Sequence, residues 1–415
     1  MSVTDIEKFI TNETERTIST PPHPPFSREE YASRLARLRA AMAQDGIRTL
    51  ILSSPEAMYW LHGLSLRWYK SQSPRAWRPL TCTAVSVDSD RFIQFEGVEH
   101  AEMIRRTSVA QDVRLLPRYQ RDDMLGFIVG ELAAEGWLDG VVGVEKYSYI
   151  PSPAVASALQ AAMEAKGATV VDGTDAARRV RRLKSPAEIE MIEKAAEICD
   201  AGILHLASVL QPGMTELEAW SEMISAMAKA GGEPAGLHEV AVAGLAGLGV
   251  GHSIAGRRVL TKGDFIEVDP CGVYNRYHAN RNMVFYLGDP PDVTVELMTI
   301  LAGAYDVIRE TGRVGTPVAQ LNKALKDYYV DQGVWHLNSQ YWVGGYELGI
   351  SFPPDWVGEW HFTVNSRDEP GLIEEGLVTN YESIIGMGIL DTIVYQPSGT
   401  RTLSRIPHQV IAVSC

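Results

Sequence analysis

Residues 182–192, Arg-Leu-Lys-Ser-Pro-Ala-Glu-Ile-Glu-Met-Ile, decide how this 415-residue chain divides. Ser185 has the side-chain oxygen that a helix N-cap needs. Pro186 falls at the first helical position, where its missing N–H costs nothing, and Glu188 stands where it completes a capping box. Ile189, Ile192, Ala196, Cys199, Ile203 and Leu206 then recur at steps of three and four, so one apolar stripe runs along a helix predicted to stop before Pro212-Gly213. The basic run 178–184 directly precedes this start and reads as a solvated connection between domains. A boundary near residue 180 follows, with domains 1–180 and 181–415.

Upstream of the boundary, Thr49-Leu-Ile-Leu-Ser-Ser, Thr83-Ala-Val-Ser-Val and Gly140-Val-Val-Gly-Val-Glu are short strand-like runs. Helical patterns at Tyr31–Met42 and Met124–Ala134 separate them, which predicts an α/β layer domain. Downstream, helices alternate with strand-like segments near Phe265–Pro270, Asn282–Leu287, Leu377–Tyr381 and Gln409–Val413. The Pro-rich stretch Thr20-Pro-Pro-His-Pro-Pro-Phe is an extended lead-in without evident chemistry.

A hydrophobic content of 45% and a charged content of 22% belong to an ordinary globular protein, and a chain this long buries a large core without covalent staples. Cys82, Cys199, Cys271 and Cys415 lie far apart with no Cys-x-x-Cys pair, so a reducing compartment is expected. No apolar run approaches the roughly 20 residues of a membrane span and no signal-like N-terminus is seen, so the expected location is cytoplasmic. A net charge of −14 disfavours nucleic acid and anionic lipid as partners, because both require a basic footprint.

Five segments of the second half carry candidate chemistry. His252 ends a Gly-rich approach, Gly244-Leu-Ala-Gly-Leu-Gly-Val-Gly, whose backbone freedom suits a side chain presented to a cavity. Its imidazole, with an unperturbed pKa of about 6.5, is suited to taking and returning a proton; a loop histidine with structural hydrogen bonds is the plain alternative. Then come Arg258-Val-Leu-Thr-Lys-Gly-Asp-Phe-Ile-Glu-Val-Asp, ending at Asp269, and Arg276-Tyr-His-Ala-Asn, ending at Asn280. Gly345-Tyr-Glu-Leu-Gly-Ile-Ser-Phe-Pro-Pro-Asp-Trp-Val-Gly-Glu and Glu375-Gly-Leu-Val-Thr-Asn-Tyr-Glu, ending at Glu382, complete the set. Glu267 and Asp269 are one strand alternation apart and share a face; Glu267 is expected to pair with Arg258.

In this order the segments resemble the creatinase, prolidase and aminopeptidase P superfamily. The resemblance implies an α/β N-terminal domain ahead of an α+β pita-bread catalytic domain. Metal-dependent members of that family use two Asp, one His and two Glu to hold a pair of divalent ions. The matching positions here read Asp269, Asn280, Tyr346, Glu382 and Pro407, and three of these five are not metal ligands of that kind. A shifted register bringing in His361 or His408 is the route by which a single ion would return; otherwise no metal and no other cofactor is expected.

The family also contains a metal-free branch, and the Tyr346 run resembles that of ectoine hydrolases. By resemblance to creatinase, His252 is expected to be base and acid, while Glu382 grips a substrate cation. Asp269 is expected to be a second anchor or to orient His252. Tyr346, His278, Asn280 and Arg276 border the substrate, and Trp356, with Asp355 and Glu359 nearby, offers a cation–π wall. Creatinase-like enzymes are homodimers whose N-terminal domain closes the partner's site, and Trp77-Arg78-Pro79-Leu80 matches the segment that supplies an aromatic lid and a carboxylate-binding Arg. Arg67, Trp68 and Arg75 compete for those roles.

The expected function is a metal-independent hydrolase cleaving a C–N bond of a small zwitterionic amidine, guanidino or cyclic amidine compound. The alternatives are a metal-dependent Xaa-Pro dipeptidase or aminopeptidase, a lyase acting on a small betaine or sulfonio compound, and a catalytically inactive binding module.

Overall fold

The computed structural model describes residues 3–66, 80–117, 123–338, 343–350, 352–354, 358, 360–364 and 371–415. Two compact units, Met1–Arg181 and Arg182–Cys415, make up the chain.

The first unit is built on a six-stranded mixed sheet of β1 (Thr49–Leu52), β2 (Cys82–Ser86), β3 (Phe92–Gly97), β4 (Asp112–Leu116), β5 (Val141–Val144) and β6 (Thr169–Asp172), in the order β4-β3-β2-β1-β5-β6. The central strand β1 is buried throughout, as its unbroken apolar run requires when helices cover both faces. Helices Arg28–Gln44 and Met124–Ala134 begin where Ser27 and Asp123 accept hydrogen bonds from the first-turn amides. Ile51, Ile93, Phe95, Ile128, Leu132 and Leu159 lie in the core. A further helix, Val3–Ile18, has no buried residue and gave no usable sequence signal.

In the second unit, the helix Pro186–Val209 starts with the Ser185/Glu188 capping box, and all six residues of its predicted stripe are buried. Its strands are β7 (Val240–Ala243), β8 (Phe265–Asp269), β9 (Cys271–Tyr274), β10 (Tyr277–Asn280), β11 (Met283–Leu287), β12 (Val343–Tyr346), β13 (Trp360–Thr363), β14 (Val378–Ile385), β15 (Met387–Gln396), β16 (Gly399–Thr402) and β17 (Val410–Val413). They form a four-stranded sheet β17-β11-β8-β7, a five-stranded sheet β13-β12-β14-β15-β16 and the ribbon β9-β10.

Helices Pro186–Val209 and Glu216–Lys229 pack on the first of these sheets through Ile203, Leu206, Met223, Ile266 and Phe285. Helices Asp292–Thr311 and Val318–Asp331 pack on the second through Leu301, Tyr305, Leu325, Tyr329, Tyr381 and Ile393. An Arg281–Asp391 bridge and the Asn280 backbone bonded to Thr392 connect the two sheets, so the end of β10 lies beside β14 and β15. Among the described residues no helix is long and apolar enough to cross a membrane.

Candidate active site

Strand alternation decides which side chains meet. On β14, Asn380 and Glu382 are two residues apart and share a face. Gly344 of β12 pairs with Glu382, so Tyr346 lies beside Asn380, and the Tyr346 N–H donates to Asn380 Oδ1 at 2.9 Å. On the other side Asn380 pairs with Thr392 of β15, whose hydroxyl accepts from the Asn280 N–H at 3.0 Å. The circle closes where Asn280 Nδ2 donates to the Tyr346 hydroxyl at 3.3 Å. Asn280, Tyr346 and Glu382, three of the predicted site residues, are thus gathered around Asn380 and Thr392, which sequence reasoning missed. The signal for Asn380 was available: it stands two residues before Glu382 in a strand-like run, and so on the same face.

Asp269, at the end of β8, adds a second carboxylate. Its Oδ1 is enclosed and has no hydrogen-bond partner among the described residues, and the same holds for Asn280 Oδ1. Burial, then the neighbouring carboxylates of Glu382, Glu267 and Glu239, push the Asp269 carboxyl well above the usual carboxylate range. Burial likewise pushes Glu382 up to about 7, with the Asn380 amide opposing it. Two buried acids, one of which raises the other, form an acidic pocket suited to a positively charged ligand.

His252 sits on the segment after the short helix Ala246–Leu248, exposed and with a left-handed backbone at φ 62°. The enclosed Asp269 Oδ1 makes no hydrogen bond to the His252 ring. The segment does lie against the hairpin that carries Glu382: a Cβ on Gly247 would come within 2.3 Å of the Gly386 backbone.

Other expectations fall differently. Glu267 does not pair with Arg258, which bonds Asp264 at 2.8 Å. Glu267 turns inward and accepts from the Ala246 N–H at 2.5 Å and Asn282 Nδ2 at 2.7 Å. Sharing the Asp269 face takes it beneath the sheet, away from solvent. Arg276 is held by Glu233 and the Pro234 carbonyl and lies over the Phe352 ring. His278 is fully buried, with Nδ1 2.5 Å from the Gly349 carbonyl; since that oxygen carries no proton, Nδ1 is the donor. Trp77, Arg78, Arg67, Trp68, Arg75, Asp355, Trp356 and Glu359 lie outside the described residues.

A dinuclear metal centre needs several anionic or imidazole donors facing one another. Asn280 is neutral and its Nδ2 is used by Tyr346, and a phenol such as that of Tyr346 is a poor metal ligand. Pro407 has no donor. His408 is stacked on Tyr305 with Nε2 3.1 Å from Asp391, and His361 lies among Arg182, Lys184, Glu347 and Glu374. Among the described residues no three His, Cys, Asp or Glu side chains converge as metal ligands would. This donor set does not fit a metal pair.

Comparison with known proteins bears on the same region. The model of metallopeptidase family M24 matches residues 190–411, and that of the creatinase/prolidase N-terminal domain matches 34–183. Ectoine hydrolase of Halomonas elongata is 28% identical over 93% of this chain and 98% of its own. A probable dipeptidase PepE of Mycobacterium tuberculosis is 23% identical over 94% and 98%. The crystal structure of dipeptidase PepE from Mycobacterium ulcerans superposes with a TM-score of 0.73 at 21% identity, covering 94% of this chain and 100% of that one, which speaks to fold alone.

Proposed function

The chain belongs to metallopeptidase family M24, with a creatinase-type N-terminal domain ahead of a pita-bread domain, and on that premise we propose a hydrolase that works without metal on a small zwitterionic amidine, guanidino or cyclic amidine compound. One observation carries the proposal: the buried Asp269 Oδ1, which has no hydrogen-bond partner among the described residues, lies in the field of the Glu382 carboxylate, where the neighbouring Asn280 and Tyr346 cannot complete a metal shell. A delocalised organic cation answers the same electrostatic need, because its N–H groups donate to carboxylates in charge-assisted hydrogen bonds.

In the proposed reaction Glu382 and Asp269 hold the positive charge of the amidinium, which keeps its carbon electrophilic. His252 takes a proton from water as the water oxygen bonds to that carbon. The C–N bond then breaks as His252 returns the proton to the departing nitrogen; the hydroxyl proton of the adduct passes to the released amine, which leaves as an ammonium ion, and the carbon is left as an amide or urea-type carbonyl. Tyr346 and Asn280, whose Oδ1 has no partner among the described residues, supply neutral polar contacts to the substrate. Arg78 would anchor its carboxylate, in a homodimer closed by the partner's N-terminal domain. Similarity along nearly the whole length to a relative named for hydrolysing ectoine supports the cyclic amidine arm. The competing Xaa-Pro dipeptidase reading has support from the name of a relative, the Xaa-Pro dipeptidase of Pyrococcus horikoshii, and asks for metal ligands these residues do not supply.

The test is a thermal-shift screen with ectoine, creatine, guanidinoacetate, betaines and Xaa-Pro dipeptides, followed by product identification. A ligand at 100 times its dissociation constant stabilises by about 2.7 kcal/mol. Stabilisation by an amidine or guanidino acid, with addition of water across its C–N bond, is the expected result. Cleavage of Xaa-Pro dipeptides with added Mn²⁺ would overturn the proposal, and an elimination product would replace hydrolase by lyase.

A further inference from the structure

The segment that carries His252 is held by two carboxylates that take no part in the proposed reaction. Glu216, at the start of helix Glu216–Lys229, is buried and accepts from Ala243 N–H through Oε1 at 2.8 Å and from Gly256 N–H through Oε2 at 2.9 Å. One side chain therefore clips together the two ends of segment 243–256. The backbone reinforces the clip, since Leu217 N–H donates to the Gly256 carbonyl at 3.0 Å and Glu216 N–H to that of Arg258 at 3.1 Å. Within the loop, Glu267 accepts from Ala246 N–H at 2.5 Å and from Asn282 at 2.7 Å, while Gly247 lies directly on the Gly386 backbone with no room for a Cβ. Beyond these attachments the tip stands free, with Leu248 and Ile254 74% and 70% exposed on either side of His252.

Among the described residues the buried Glu216 carboxylate accepts only backbone amides of this one loop, so its effect falls on loop position, while Glu267 ties the same loop to Asn282 and to the Gly388 amide. We infer that Glu216 and Glu267 are positioning residues that clasp segment 243–256 and set His252 against the hairpin bearing Glu382. This rests on the reading of His252 as the general base. The two attachments act at different points: Glu216 closes the loop, and Glu267 fixes its floor to β8 and, through Asn282, to β11. Neither touches substrate.

The experiment uses the full chain and four variants: Glu216→Gln, Glu267→Gln, Gly247→Ala and His252→Ala. Glutamine keeps the volume of Glu216 but turns an NH₂ toward one of two N–H donors, so one bond is lost. Gly247→Ala lifts the loop off Gly386 without altering either carboxylate, and so keeps the idea testable if a glutamine variant fails to fold. Amide hydrogen exchange across 243–256, kcat with ectoine or creatine, and the dissociation constant of the same compound in the His252→Ala background are measured.

The expected result is exchange of the loop amides accelerated at least tenfold in each clasp variant, with kcat lowered by about tenfold to hundredfold, as a misplacement on the order of 1 Å produces. The dissociation constant should stay within about twofold in Glu216→Gln and Gly247→Ala, which leave the charges around Asp269 in place, and in the His252→Ala background the same substitutions should cost no further rate. Unchanged exchange in all three clasp variants would overturn the clasp while leaving the hydrolase reading intact. Equal losses in kcat and binding would make both residues structural and likewise overturn it. Full activity in His252→Ala would overturn the base assignment, and the positioning role with it.

Discussion

Asn280 donates from Nδ2 to the hydroxyl of Tyr346 at 3.3 Å, joining the end of β10 to the end of β12. These are two positions where metal-dependent relatives are expected to place ligands, and here the side chains engage each other as a neutral pair. Chelators such as EDTA or phenanthroline should therefore leave turnover unchanged, and calorimetric titration of the wild type with Mn²⁺ or Zn²⁺ should give no heat of specific binding. Complete inhibition by chelator, reversed by either ion, would refute the ligand count.

The exposed left-handed turn at His252 predicts a clean separation of chemistry from folding. His252→Asn should lose about 10²–10⁴-fold in kcat, the usual contribution of a general base, with an unchanged melting temperature because the ring has no buried contacts to lose. Retention of more than about a tenth of the rate would remove His252 from the role.

A pH dependence follows from Glu382. Its carboxyl is raised by burial from an ordinary 4.5 to about 7, so the folded state binds the proton more tightly than the unfolded state does. The stabilising contribution is thus fully present below about pH 4.5 and is lost as pH rises through about 7. Cation binding runs the other way, since the proton must leave first. The thermal shift given by a permanently cationic guanidino ligand should grow between pH 5 and pH 8, and Glu382→Gln should flatten that trend. A pH-independent shift in the wild type would remove Glu382 from the binding site.

Much of this was legible in the sequence, and the exceptions have physical causes. The helix Pro186–Val209 could be read from its capping box and stripe, because a single buried face leaves a periodic trace. Strand β15 left none: it is buried from Met387 to Tyr395 on both faces, so no alternation marks it. The gathering of Asn280, Tyr346 and Glu382 was predictable only as family register. That Asn380 and Thr392 hold them together depends on strand pairing, which no local pattern encodes. The inward turn of Glu267 was misread because Arg258 offered a nearby charge, whereas the partners it takes are the Ala246 amide and Asn282.

Behind the site, Arg281 and Asp391 form a buried ion pair at 3.2 Å, with Arg281 also donating to the carbonyls of Leu390 and Ile406. Asp391→Leu leaves that guanidinium charged and uncompensated, so it should cost about 3–5 kcal/mol in denaturant unfolding. Arg281→Met with Asp391→Leu should cost markedly less than Asp391→Leu alone, because no lone charge remains. An equal or larger loss in the double variant would mean that packing, and not charge, dominates there.

The last prediction separates cation recognition from catalysis. If Glu382 grips an amidinium, Glu382→Gln keeps shape and one acceptor but removes the charge. Binding of a cationic ligand should then weaken far more than that of its neutral isostere. A charge-assisted hydrogen bond contributes about 1.5–3 kcal/mol, equivalent to roughly tenfold to hundredfold in affinity. The Asn380 amide and the Asp269 carboxylate stay in place, so whatever affinity survives reports on them. Relieved of one of the neighbouring charges that raise it, Asp269 should ionise at lower pH in the variant, and this can be read from the pH at which residual cation binding is half-lost. The measurement is paired calorimetric titration of wild type and variant with both ligands across pH 5–8. Equal losses for the two ligands would make Glu382 structural and leave Asp269 without the partner that the amidine reading requires.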